Sequence, residues 1–434
     1  MIVLGWVSFF TDASADMIYP LVPAFLVSLG GGAVALGWLE GIAEAVSAGI
    51  KLWAGRAIDR AGKPKRFVVL GYGLSALARP LYALATAPFH AVLVRVADRV
   101  GKGLRGPPRD AMLAAAAPPE IRGYAFGYHR MMDNLGGVAG PLLAFLALRI
   151  AEMPLRQVFV VSVIPGLVSV ALAQLFLKDL PPHHAETSTP VAPPAEDTNA
   201  PIAPPAEDTN ALVATPVENE DARAPGQGAQ APAVLAPPRS RAVTTPVALL
   251  PWRFFVVTAI FTLAASGDLF LMQRLTSLGL DVALVPVAWV SLQLLKGLFN
   301  VPGGRASDRF GRRRVLACAW LLYAATYVAF GLVGSPWLAW LLIAPYALHY
   351  GLAEGGQRAL LTDLVPRAAR GRAFGIQLAI EGVFILPANV GFGHLTDRYG
   401  ARTAFTAAAA CAALAAVLLL AIVPNARPHE SSQA

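Results

Sequence analysis

The sequence predicts an all-α integral membrane protein, with twelve transmembrane helices in two pseudo-symmetric six-helix bundles. Three observations carry this. The 434 residues are 56% hydrophobic and only 14% charged, where soluble domains carry about 25% charged residues. Apolar runs recur at the length, roughly 20 residues, that a bilayer core requires. The chain also repeats itself. GRAIDRAGKPK at 55–65 returns as GRASDRFGRRR at 304–314, an offset of 249, and RGYAFG at 122–127 returns as RGRAFG at 370–375, an offset of 248. Two pairs with almost one offset mark a duplicated half.

The predicted spans are 3–28, 35–57, 66–86, 90–114, 123–149, 156–177, 252–275, 282–303, 314–332, 336–361, 371–394 and 403–423. In lipid only helices and closed barrels satisfy the backbone, and these runs are too long for barrel strands. The first six spans form a bundle over 1–177, and the second six form another over 251–425. Between them, 178–250 is rich in Pro, Ala, Glu, Asp and Thr and repeats APPAEDTNA from 192 and from 203. Such a segment cannot bury enough apolar surface to offset its chain entropy, so it reads as a disordered cytoplasmic linker. Residues 426–434 read as a tail.

Charge in the turns sets the orientation. The turns after spans 2, 4, 8 and 10 hold most of the Arg and Lys, and those after spans 1, 3, 7 and 9 hold none. This places both termini and the linker in the cytoplasm, for a multi-pass protein of the inner (plasma) membrane. The net charge of +8 lies mostly in these turns, so it marks orientation and not a nucleic-acid partner. Met1 leads straight into an apolar run, which argues against a cleaved signal peptide. Cys318 and Cys411 lie in apolar runs and imply neither a disulfide framework nor a metal site. GKGLRG at 101–106 spells G-x-G-x-x-G, but inside an apolar helix it is no dinucleotide loop. No nucleophile, metal or phosphate-binding constellation appears, so the reading includes no enzyme and no cofactor.

The interior charges point to function. Spans 6, 9 and 12 carry none, and span 3 carries only Arg79. The other spans hold Asp12, Asp16, Glu40, Glu44, Lys51, Arg95, Asp98, Arg99, Lys102 and Asp133 in the first half, and Asp268, Lys296, Glu354, Arg358 and Glu381 in the second. Each charge at bilayer depth costs about 2.5–3.5 kcal/mol, so such residues face a bundle interior or a cavity. Spacing agrees. Asp12 and Asp16 are i,i+4, and Arg95, Arg99 and Lys102 follow i, i+4, i+7, so each set shares one helix face. The bare spans 3, 6, 9 and 12 are then peripheral. At 1.5 Å per residue, Asp16, Glu44 and Arg99 fall at one depth, with Lys51 and Asp133 together nearer the cytoplasm. An acid beside a base and a second acid is where a proton can be exchanged.

The paired turns resemble the signature G-x-L-x-D-R-x-G-R/K-R/K of the major facilitator superfamily, which follows its helices 2 and 8. Gly55, Asp59, Arg60 and Gly62 match it in the first half, and Gly304, Asp308, Arg309 and Gly311 in the second; Ala57 and Ala306 replace the usual Leu. RVADRVGKG resembles the family's R-x-x-Q-G-x-G-x-G segment, with Arg95 at the arginine position, Asp98 replacing the Gln and Arg99 the first Gly. Gly136, Gly140 and Pro141 resemble the G-x-x-x-G-P core of the family's antiporter motif and imply a bend in helix 5. The strings SFFTDASADMIYPLVP and DRVGKGLRGPPRDAM resemble a prokaryotic branch of the superfamily with mostly unassigned substrates. The resemblance implies a monomeric secondary transporter that couples protons to efflux of a small organic molecule by alternating access. It implies further that Asp59 and Asp308 latch the cytoplasmic side, on the starts of helices 11 and 5. An importer of an organic anion, or a non-transporting membrane sensor, fits the same residues.

Overall fold

The computed structural model describes residues 1–61, 64–116, 122–177, 251–366 and 369–424. The expected linker 178–250, the tail 426–434 and Gly62 lie outside the described residues. Residues 1–177 and 251–424 belong to one compact unit.

The described residues contain sixteen α-helices and no strand. In the first half these are α1 (Ile2–Ile18), α2 (Val22–Ser28), α3 (Ala33–Ala61), α4 (Pro64–Ala78), α5 (Pro88–Ala116), α6 (Arg122–Arg149), α7 (Leu155–Val161) and α8 (Val163–Phe176). The second half holds α9 (Trp252–Ala264), α10 (Leu269–Ser277), α11 (Val285–Phe310), α12 (Arg312–Leu332), α13 (Pro336–Leu341), α14 (Ile343–Leu364), α15 (Arg370–Tyr399) and α16 (Ala401–Ile422). With 3-10 turns at Tyr19–Leu21, Arg79–Leu84 and Val282–Leu284, they group into segments that follow the predicted spans. Among the described residues, nine segments are long and apolar enough to cross a membrane. The fourth segment, α5, is too charged to count among them.

Several spans predicted as continuous are broken, and proline explains where. Proline has no N–H for the carbonyl four residues earlier. Pro23, Pro165 and Pro345 release the carbonyls of Tyr19, Val161 and Leu341. At those positions the chain turns 3-10, α7 ends and α13 ends. The seventh span breaks differently, between Ala264 and Leu269. There the N–H of Gly267 donates to Asn389 Oδ1 of α15 at 2.8 Å, so a side chain replaces the missing helical partner.

Two helix pairs approach at backbone distance. A Cβ on Gly136 or Gly140 of α6 would overlap the carbonyl oxygens of Phe9 or Ala13 of α1. α6 runs unbroken through Pro141; its glycines act here by letting α1 pack close. The second pair joins the halves: Gly37 and Gly41 of α3 lie on Asn389 and Leu386 of α15, and Gly393 lies on Ala33. This seam lies at the end that bears the turn after the first span, the end poor in Arg and Lys.

Large apolar side chains remain exposed on the expected peripheral spans, such as Leu77 and Leu84, Ile164 and Leu175, Leu321 and Leu332, and Leu414 and Val417. Such faces need lipid as solvent. Cys318 and Cys411 are exposed as well.

Candidate functional site: a charged cavity between the halves

A cavity of about 880 Å³ lies between α1, α5 and α6 of the first half and α11, α14 and the 265–268 break of the second. Asp12, Asp16, Arg95, Asp98, Arg99, Lys102, Asp133, Asp268, Lys296 and Glu354 line it. Neither cysteine does.

On the first-half wall the charges form a buried chain. Arg79 Nε meets Asp98 Oδ1 at 3.1 Å, and Asp98 Oδ2 lies 3.8 Å from Arg95 Nη1. Arg95 Nη2 meets Glu40 Oε1 at 3.0 Å, and the Tyr19 hydroxyl donates to Glu40 Oε2 at 2.6 Å. The Arg95 guanidinium also lies 4.1 Å from the centre of the Tyr19 ring. One turn further along α5, Arg99 Nη2 meets Glu44 Oε1 at 2.9 Å. Glu40 and Glu44 thus stand behind the wall on α3 and neutralise the arginines that face the cavity. A group of charges with so many internal partners can be held away from water.

Asp16 lines the cavity beside Arg99, but Glu44, the partner of Arg99, does not line it, and Asp16 bonds to neither. Asp12, Asp16 and Lys102 make no ion pair or hydrogen bond among the described residues. Asp133 stands 3.5 Å from His129 Nδ1, one turn back on α6, and not beside Lys51. Lys51, Arg358 and Glu381 do not line the cavity. Glu381 accepts from Gln357 and Gln377 at 3.2 and 2.8 Å, and Arg358 is an exposed i,i+4 partner of Glu354 at 3.5 Å.

On the second-half wall, Lys296 Nζ meets Asp268 Oδ2 at 2.5 Å and the Tyr346 hydroxyl donates to Asp268 Oδ1 at 2.6 Å. Among the described residues no group of His, Cys, Asp and Glu could hold a metal ion.

In the signature turns, the backbone of Gly55, Asp59 and Arg60 continues α3; their side chains lie outside the description. Asp308 pairs locally with Arg312 at 3.5 Å, and its side chain is 70% exposed. Gly311 takes a φ of 92°, the left-handed conformation that lets α11 end and α12 begin.

Sequence reasoning missed Arg79 as a partner, because it lies in an otherwise bare span, and Tyr19 and Tyr346, because tyrosine in an apolar run reads as packing. It also missed Asp397. Both Asp397 carboxylate oxygens accept N–H groups of the other half, from Ala33 and Val34 at the start of α3, at 2.8 Å each. The signal was present: GHLTDRYG at 393–400 repeats the signature's Gly-x-x-x-Asp-Arg-x-Gly spacing, with Leu395 where the first two copies have alanine.

The sequence profile of the Major Facilitator Superfamily matches residues 4–292 and 269–434. The chain belongs to the major facilitator superfamily. An MFS-type transporter of Methanocaldococcus jannaschii is 26% identical over 90% of this chain and 87% of its own. The multidrug resistance protein MdtH of Photorhabdus laumondii is 33% identical, but over 29% of this chain and 32% of its own. The crystal structure of the nucleoside transporter NupG superposes with a TM-score of 0.68, at 11% identity over 97% of this chain and 98% of its own. That of a D-xylose-proton symporter gives 0.65, at 14% over 98% and 97%. At these identities the structures share the fold. The chain is therefore a multi-pass membrane protein of a transporter family.

Proposed function

We propose that this superfamily member is a proton-coupled secondary transporter of the inner membrane that exports a small organic molecule. The two bundles, 1–177 and 251–425, rock about the central cavity, with 178–250 as a tether and both termini cytoplasmic. The observation that carries this reading is the cavity itself. It lies between the halves, beneath a seam of backbone contacts, and it holds carboxylates, Asp12 and Asp16, with no ion-pair partner among the described residues. Such carboxylates can take up and release a proton as the cavity changes sides. Efflux is favoured over uptake by the partial likeness to a multidrug resistance protein and by the antiporter-like glycines of α6.

The test is flux in proteoliposomes carrying a pH-sensitive dye, with a panel of small organic solutes. An exported solute collapses an imposed pH gradient in proportion to its own movement. Asp16→Asn abolishes this coupling and leaves solute binding measurable. Solute flux indifferent to a protonophore, or an Asp16→Asn variant that couples normally, overturns proton coupling through this wall.

A further inference from the structure

Asp268 and Lys296 form a site of a different kind from the first-half chain. Asp268 stands in the break that ends just before α10, and Lys296 reaches it from α11 at 2.5 Å. The same ammonium lies 4.2 Å from the centre of the Tyr350 ring and 5.6 Å from that of Tyr346. Tyr346 is fixed by its hydrogen bond to Asp268. A carboxylate and two phenol faces around one ammonium is the chemistry that recognises alkylammonium ions. Here the protein's own lysine occupies it. The Lys296 side chain is 10% exposed and that of Asp268 is 24% exposed, and both line the cavity with Tyr350. A solute therefore meets the carboxylate more openly than the ammonium.

The balance of charge decides which solute. In the second half, the cavity wall carries two carboxylates, Asp268 and Glu354, and one cation, Lys296. An anion that drew Lys296 away would leave Asp268 with no cation on its own wall of the cavity among the described residues. A cation that takes Lys296's place leaves no carboxylate unpaired. The released lysine has Glu354 in the same wall, one turn beyond Tyr350 on α14, whose present partner is the exposed Arg358. Removing one member of a buried pair is far costlier than exchanging it.

We propose that Asp268, Tyr346 and Tyr350 form an ammonium-binding subsite that Lys296 fills when the cavity is empty. The substrate is an organic cation bearing a primary or secondary ammonium, which displaces Lys296. The proposal rests on the transport reading above and names its substrate class.

Binding is measured on the purified full chain in nanodiscs, through the fluorescence of Trp289 at the cavity wall, with benzylamine, benzyl alcohol and benzoate. Lys296→Met removes the internal competitor and raises the affinity for benzylamine at least tenfold, with no gain for benzyl alcohol. Asp268→Asn abolishes benzylamine binding, alone or combined with Lys296→Met. Tyr350→Leu keeps the ion pair and weakens benzylamine severalfold, so the proposal stays testable even if Lys296→Met does not fold. Benzoate binding that Lys296→Met abolishes would overturn the proposal, as would a folded Lys296→Met variant with unchanged benzylamine affinity. Proton-coupled flux of neutral or anionic solutes without amine binding rejects the subsite and leaves transport standing. Amine binding as described, with no solute driving proton movement, rejects the transport reading instead.

Discussion

Asp397 gives the sharpest test of how the two halves are held together. Its carboxylate accepts the N–H groups of Ala33 and Val34 across the seam, at 2.8 Å each. The first N–H groups of a helix have no partner within it, and an anion there meets the positive end of the helix dipole. Losing a side-chain cap costs about 0.5–2 kcal/mol, and losing the charge a further 0.3–1 kcal/mol or so. The contact exists only while this end is shut, so its full value biases the conformational equilibrium. Asp397→Ala is then worth about 1–3 kcal/mol, a shift of roughly 5- to 150-fold toward the state open at this end. Asp397→Asn keeps an acceptor and loses only the charge, so it shifts the equilibrium by roughly 2- to 5-fold. Gly32→Ala reaches the same contact from the other side, because its Cβ would stand 2.5 Å from Asp397 Oδ2. The assay is a spin-label distance distribution between Ser28→Cys and Ser277→Cys, with Cys318→Ala and Cys411→Ala as background. Longer distances should gain population in the order Asp397→Asn, then Asp397→Ala. Distributions unchanged in both Asp397→Ala and Gly32→Ala would refute the argument and leave Asp397 as a cap with no part in gating.

Three further outcomes follow from the same geometry. Glu40→Gln leaves Arg95, among the described residues, with the 3.8 Å contact to Asp98 as its remaining ion pair beside the Tyr19 ring; a broken buried pair costs about 3–5 kcal/mol, so thermal unfolding in detergent should move markedly downward, where an unchanged midpoint would show the chain to be water-filled. Gly136→Val should reduce the yield of folded protein by gel filtration, because the new side chain meets the backbone of Phe9, and normal yield would show that α1 can retreat. Shortening 178–250 to ~25 residues, which as a flexible coil still span about 25–30 Å, should leave flux in proteoliposomes intact; loss of flux in a folded deletion variant would show the segment to be more than a tether.

Most of the fold was legible because the bilayer leaves few choices. A polar backbone in lipid must be helical, so apolar run length alone placed the segments, and the repeat at 55–65 and 304–314 paired the halves. The breaks were less legible. Pro23, Pro165 and Pro345 interrupt their spans, whereas Pro141, Pro302 and Pro387 sit inside unbroken helices. Only packing separates the two groups. Which wall each charge belongs to was readable from spacing, since Asp12 and Asp16 share a face, as do Arg95, Arg99 and Lys102. Which charges pair was not, because partners such as Arg79 and Asp98, or Asp268 and Lys296, meet across helices whose rotation is set by side chains far away in sequence. Asp397 was hidden for a simpler reason. Its motif sits at the opposite end of the bundle from the two copies that anchor the repeat, so neither the offset nor the charge rule drew attention to it.

The seam and the ammonium subsite are connected by a packing contact, a hydrogen bond and a peptide bond in turn. Gly37 of α3 rests on the backbone of Asn389 in α15. The Asn389 side chain holds the N–H of Gly267 through Oδ1 and donates through Nδ2 to the carbonyl of Ile385 at 2.8 Å, so its amide is fixed at both ends. Gly267 precedes Asp268 directly. Separating α3 from α15 therefore removes the packing that positions Asn389, and Asn389 in turn holds the residue next to the carboxylate that Lys296 occupies. Because the span is already broken at 265–268, a change there moves Asp268 without bending a continuous helix. A cation arriving at Asp268 and a seam opening 397-side of Asn389 thus act on one short stretch of chain, which is the physical requirement for the two events to influence each other.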